Sequence, residues 1–128
     1  MGTEERLDIN AARGKLLDWL LHPERDRIKR PLAPTSIPAI RAVCNLLDDF
    51  YDKDAMPTEM AMDCDAGIVL QWNVHNRLFT LVVAADGKDC HSTYHEGSEL
   101  RWKQSGTPLR LAALGIIGSV KRSREAHN

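Results

Sequence analysis

Residues 67–84 constrain this chain more than any other stretch. They read Gly-Ile-Val-Leu-Gln-Trp-Asn-Val, then His75-Asn76, then Arg-Leu-Phe-Thr-Leu-Val-Val-Ala. Ile68, Leu70, Trp72 and Val74 alternate with Val69, Gln71 and Asn73. Successive side chains of a strand point to opposite faces, so this spacing predicts a strand with one buried face. His75-Asn76 fits a two-residue hairpin turn, with Asn76 tolerating a positive φ. The following strand, residues 78–84, is apolar on both faces. It is expected at the centre of a sheet with cover on each side, from helices or from a second subunit.

Turn and cap signals order the rest. Asp8 or Asn10 is placed to cap a first helix reaching about Leu21, with Leu16, Leu17, Trp19, Leu20 and Leu21 forming a wide apolar side. Pro23 and Pro31 bracket a charged stretch that cannot continue a helix. Ser36 predicts the cap of a second helix, with Pro38 in its first turn. Ile37, Ile40, Cys44, Leu47 and Tyr51 give that helix a stripe, widened by Val43, Leu46 and Phe50. Carboxylates oppose the dipole at a helix C-terminus, so Asp48, Asp49, Asp52 and Asp54 predict an end near Phe50. Further strands are expected at 59–64, 88–94 and 99–103, with Asp86-Gly87 a two-residue hairpin turn. Thr107 and Pro108 announce a last helix, apolar nearly all round, with residues 1–8 and 121–128 flexible. Helices and strands that are segregated along the chain indicate the α+β class. The expected architecture is one domain over residues 1–128. It is an antiparallel meander sheet of four to five strands, with two N-terminal helices and one C-terminal helix packed against it.

Composition narrows the function classes. The 128 residues carry a net charge of −1, so no global field favours nucleic acid or a membrane surface. Cys44, Cys64 and Cys90 are few, odd in number and widely spaced. That is neither a secreted disulfide framework nor a zinc motif, and reduced thiols fit a cytoplasmic protein. No apolar run approaches the length of a membrane span, and no apolar signal core opens the chain.

One pattern resembles a family. Pro57-Thr58, then Asp65-Ala66-Gly67-Ile68-Val69-Leu70-Gln71-Trp72, then an apolar strand ending at Asp86-Gly87, is similar to a group of small uncharacterised bacterial proteins. In those, Pro-Thr leads into an acidic-Gly-Gly-Ile-x-Leu-x-Trp strand. The similarity covers residues 57–88, and Ala66 stands where that group has its second glycine. The resemblance implies no activity and no functional residues.

The densest polar run is Asp89-Cys90-His91-Ser92-Thr93-Tyr94-His95-Glu96. His91 and His95 have the i, i+4 spacing that binds zinc on a helix. On a strand, four residues span about 13 Å, too far for one ion with bonds near 2 Å. Cys90 and His91, as strand neighbours, point to opposite faces. A thiol–histidine enzyme or metal site would need Cys90 to meet His75 or His95 across space, with Asp63 or Asp89 as orienter. Arg25, Arg27, Lys29 and Arg30, with Lys121, Arg122 and Arg124, would form a basic face for nucleic acid if the fold brought them together. Against them, residues 48–65 carry a net −6, a polarity suited to oriented docking on a protein. Asp48, Asp49 and Asp52, with Trp72 and Trp102 on a partly covered sheet, are the expected interface residues. With no cofactor loop and no triad order, the expectation is a non-enzymatic protein-binding or regulatory module of bacterial or mobile-element character. It would take no cofactor, bind a protein partner and self-associate as a homodimer. The thiol–histidine site and the nucleic-acid accessory protein are the alternatives.

Overall fold

A computed structural model of the chain describes residues 6–21, 35–63 and 65–126. The elements run α1 (Ile9–Leu21), α2 (Ile37–Asp52), β1 (Glu59–Met62), β2 (Ile68–Val74), β3 (Arg77–Val83), β4 (Cys90–Glu96), β5 (Glu99–Ser105) and α3 (Leu109–Glu125). Every strand pairs antiparallel with its sequence neighbour, so the sheet order is β1-β2-β3-β4-β5. The α+β meander expected from the sequence is the fold.

Asp8 caps α1. Its carboxylate accepts from the backbone N–H groups of Asn10 and Ala11, each at 3.1 Å. Ala12, Leu16 and Trp19 bury one stripe of that helix, while Leu17, Leu20 and Leu21 stay exposed. The wide apolar side expected there is therefore only partly used. Ser36 caps α2, its hydroxyl accepting from the N–H of Ala39 at 3.1 Å. The buried stripe of α2 runs through Ile40, Val43, Leu47 and Phe50, which leaves Ile37 and Tyr51 exposed.

The end of α2 lies beyond Phe50. The N–H of Asp54 donates to the carbonyl of Tyr51 at 3.1 Å, and that of Ala55 to the carbonyl of Phe50 at 2.7 Å. Asp54 has φ 55°, so this is a Schellman closure with an aspartate at the left-handed position that glycine usually fills. These bonds satisfy the last carbonyls and outweigh the unfavourable acids. Asp54 also accepts from Arg6 at 2.6 Å, while Arg13 pairs with Asp48.

At the start of α3 the structure departs from the expected cap. The residue before the helix is Pro108, which has no side chain to cap with, and Thr107 makes no capping bond. The helix continues to Glu125, so the segment from Lys121 is helical rather than loose. Its buried residues are Ala112, Ala113, Ile116, Ile117, Val120 and Ser123, while Leu111 and Leu114 are exposed. One face of α3 meets the sheet, not its whole circumference.

Two glycines are demanded by close approach. A Cβ on Gly67 would lie 2.3 Å from the carbonyl oxygen of Val83. One on Gly87, which has φ 72°, would lie 2.5 Å from the carbonyl oxygen of Pro38. The β3–β4 connection is longer than a two-residue turn. Asp86 accepts from the N–H groups of Lys88 and Asp89 at 2.8 and 2.9 Å, and β4 begins at Cys90. The β2–β3 turn is the expected His75-Asn76, but the positive φ, 58°, belongs to His75.

All three helices share one core with one face of the sheet. Trp72 lies at its centre, fully buried. Its Nε1 donates to the carbonyl of Ala55 at 2.7 Å, and its ring meets Phe50 edge-on with centroids 5.1 Å apart. Phe79, Tyr94 and Trp102 continue this face as a row of aromatics, with centroid separations of 4.7 and 6.1 Å.

Candidate functional site

The opposite face of the sheet carries no described helix. The same alternation that sends Ile68, Leu70 and Trp72 inward sends Val69, Gln71 and Asn73 outward. In β3, Phe79, Leu81 and Val83 are buried, whereas Leu78, Thr80 and Val82 are half-exposed. Residues 78–84 were expected to be covered on both sides. Among the described residues, helices cover one side only. Flanking side chains half-bury the other, and a threonine at its middle makes that tolerable.

Register fixes the layout of this bare face. One row crosses all five strands: Glu59 pairs with Gln71, Gln71 with Thr80, Thr80 with Thr93, and Thr93 with Lys103. The row is acidic at the β1 rim, neutral and polar in the centre, and basic at the β5 rim. An apolar pair, Val69 and Val82, lies on one side of it. On the other side Leu78 lies against His95, which in turn pairs with Leu100. A bulge between β4 and β5 sets Arg101 out of register, where it pairs with Glu96 and Glu99 at 3.3 and 3.5 Å. The Nδ1 atom of His95 is buried without a hydrogen-bond partner among the described residues.

The thiol–histidine set is not assembled. Cys90 faces the helices, and its Sγ donates to the carbonyl of Thr107 at 3.3 Å. Burial, and secondarily the charge of Asp89, push its thiol pKa up, which favours the protonated form over a nucleophilic thiolate. His91 and His95 lie on the bare face, about 13 Å apart by strand rise. His75 sits in the turn at the far end of β3 from Cys90, about 20 Å along the strand. What does come together is a cleft of about 600 Å³ at the sheet end. Cys90 and His91 line it with Asp63, Asp65, Asp89 and Lys88. Its chemistry is that of carboxylates and a lysine around a protonated thiol, with no base aimed at a nucleophile. Among the described residues no group of three or more His, Cys, Asp or Glu is placed to hold a metal ion.

The other sequence candidates scatter. Trp72 is core and cannot anchor an interface. Trp102 is half-buried on the helix-covered face. Asp48 is taken up by Arg13, Asp52 is exposed, and Asp49 lines a second cleft with Ala42, Asn45, Leu46, Leu109 and Arg110. Arg25, Arg27, Lys29 and Arg30 lie outside the described residues. Of the basic residues on α3, Lys121 and Arg122 are exposed, and Arg124 donates to the backbone carbonyl of Asp54.

The sequence reading missed the outward residues of the central strands, Leu78, Thr80, Val82 and Thr93. The signal was present in the alternation. It was masked because β3 is apolar in both registers. Among the described residues no helix is long and apolar enough to cross a membrane. No protein-family model matches the chain, and neither a curated protein nor a solved structure matches it significantly.

Proposed function

We propose that this protein is a non-enzymatic protein-binding module whose contact surface is the bare face of its sheet. The observation that carries this reading is the one-sided packing: every described helix lies on one face, while Val69, Leu78 and Val82 remain half-exposed on the other. Single exposed apolar residues need no explanation, but a five-stranded sheet face on which Val69 and Val82 flank one side of a neutral polar row and Leu78 the other is the kind of surface partners cover. Completing the burial of one half-exposed Val or Leu contributes roughly 1 kcal/mol. Docking costs several times that, so the surface must act as a unit. The Cys90 cleft gives a catalytic alternative less support, because burial favours the protonated thiol and His91, although it lines the same cleft, projects from the opposite face of β4.

Affinity capture with the full chain tests this, run beside Val82→Lys on the bare face and Leu114→Lys on the exposed side of α3. The expected result is a partner retained by the Leu114 variant and bound at least about tenfold more weakly by the Val82 variant, because a lysine buried against a partner is costly. Retention by both variants, or no partner at all, would refute the assignment. Circular dichroism establishes that both variants are folded.

A further inference from the structure

Resting on the reading of the bare face as a binding surface, we infer that its occupant is a second copy of this chain, paired face to face about a two-fold axis along β3. The cross-strand row from Glu59 to Lys103 carries the argument. Both end residues are exposed, and neither has a hydrogen-bond or ion-pair partner among the described residues. Rotation about an axis parallel to β3 and lying between two such faces places β1 of one copy over β5 of the other, and β2 over β4. Glu59 then meets Lys103 at both rims, and Gln71 meets Thr93, each side chain able to donate and to accept. Leu78, Thr80 and Val82 on the axis strand each meet their own copies, so Leu78 and Val82 face apolar groups, while Val69 of β2 comes opposite His91 of β4. The perpendicular two-fold would set Glu59 over Glu59 and Lys103 over Lys103, and like charges oppose it. The face is self-complementary in one orientation and repulsive in the other.

Geometry and size agree with this pairing. Packed sheets cross at about 30°, which displaces the rims by roughly 5 Å at two strand spacings from the axis. Glu and Lys side chains span that displacement. Seven residues in each of four strands and four in β1, at about 3.4 Å per residue and about 4.8 Å per strand, give a footprint of roughly 520 Å² per copy. The pair therefore buries roughly 1,000 Å² even before side-chain relief is counted, about what a specific interface needs. A small interface with a polar central row implies a dimer with a dissociation constant on the order of micromolar.

Sedimentation equilibrium on the purified full chain, across a concentration series spanning that range, tests the inference by charge exchange. The wild type is expected to approach twice its chain mass. Glu59→Lys alone and Lys103→Glu alone each place like charges together at both rims and should associate at least about tenfold more weakly. An equimolar mixture of the two variants restores opposite charges at both rims and should recover the dimer, as should the double variant. Because both positions are exposed, thermal melts taken well below the dissociation constant, where the wild type is also monomeric, should match it, which separates lost association from lost folding. A strictly monomeric wild type overturns self-pairing but leaves the binding face to be judged by the Val82→Lys capture experiment. A dimer that ignores both charge changes but is lost on Val82→Lys overturns this orientation. A dimer that ignores Val82→Lys as well overturns the bare face as an interface.

Discussion

Ala66 occupies a conformation that L-residues avoid, with φ 67° in the turn between β1 and β2. Its Cβ crowds the backbone there, at a cost of about 1–2 kcal/mol. Glycine removes that cost and returns part of it as unfolded-chain entropy. Ala66→Gly should therefore raise unfolding stability by about 0.5–1 kcal/mol in urea titrations, and a loss of stability would show that the methyl group packs favourably. Cys90 shows a different residue-scale effect. Burial raises its thiol pKa, so the folded state favours the protonated form. The stability from this group is complete below the unfolded pKa near about 8.5 and is lost as pH rises through the higher folded value. At pH 8 the Cys90 peptide should be labelled by a disulfide reagent more slowly in the native protein than in the unfolded chain, since the thiolate is the reacting form and the folded thiol is buried. Equal rates would reopen the reactive-thiol reading. Neither residue could be understood from its neighbours in sequence. Nothing beside Ala66 shows that it, rather than Gly67, takes the positive φ, and Cys90 sits in a polar run that suggests chemistry. Strand alternation divides that run between two faces, with Cys90 and Ser92 inward and His91, Thr93 and His95 outward.

Among the elements, α2 shows how a local signal becomes a tertiary joint. Ser36 caps the helix, but the same residue also donates its N–H to the carbonyl of Ala66 at 3.0 Å and its hydroxyl to the carbonyl of Ala85 at 2.5 Å. Two turns of the sheet are thus tied to the start of one helix. Ser36→Ala removes the cap and leaves the Ala85 carbonyl without that donor, so a loss of about 1–2 kcal/mol is expected in the urea midpoint. An unchanged midpoint would mean that solvent replaces both bonds freely. The start of α2 was legible because Ser and Pro act through the adjacent backbone. The end of the helix was misread because aspartate is unfavourable in the dipole field, yet Asp54 supports the left-handed closure that determines where the helix stops. At α3 the error was reversed: Thr107-Pro108 looks like a cap, but the Thr107 carbonyl receives the Cys90 thiol and no side chain caps the helix.

On the scale of the whole molecule, strand order was readable because each connection is short and carries its own turn chemistry. Which face would be covered was not. β3 offers Leu78 and Val82 on one side and Phe79, Leu81 and Val83 on the other, and hydrophobicity alone cannot say which set the helices take. Side-chain volume decides. Trp72, Phe79 and Leu81 share the face whose partners across the sheet are also large, and that face can fill a core against Phe50 and Ile116. The rims of the same sheet have a further consequence. β1 has four residues, and the carbonyl of its Met60 is occupied by Lys15 of α1 at 3.0 Å. β5 carries the bulge and the charges of Glu99, Arg101 and Lys103. Short, plugged, bulged and charged edges resist the addition of further strands. The backbone of this sheet is therefore a poor template for fibril growth, because each rim discourages the strand-by-strand addition that cross-β stacking requires.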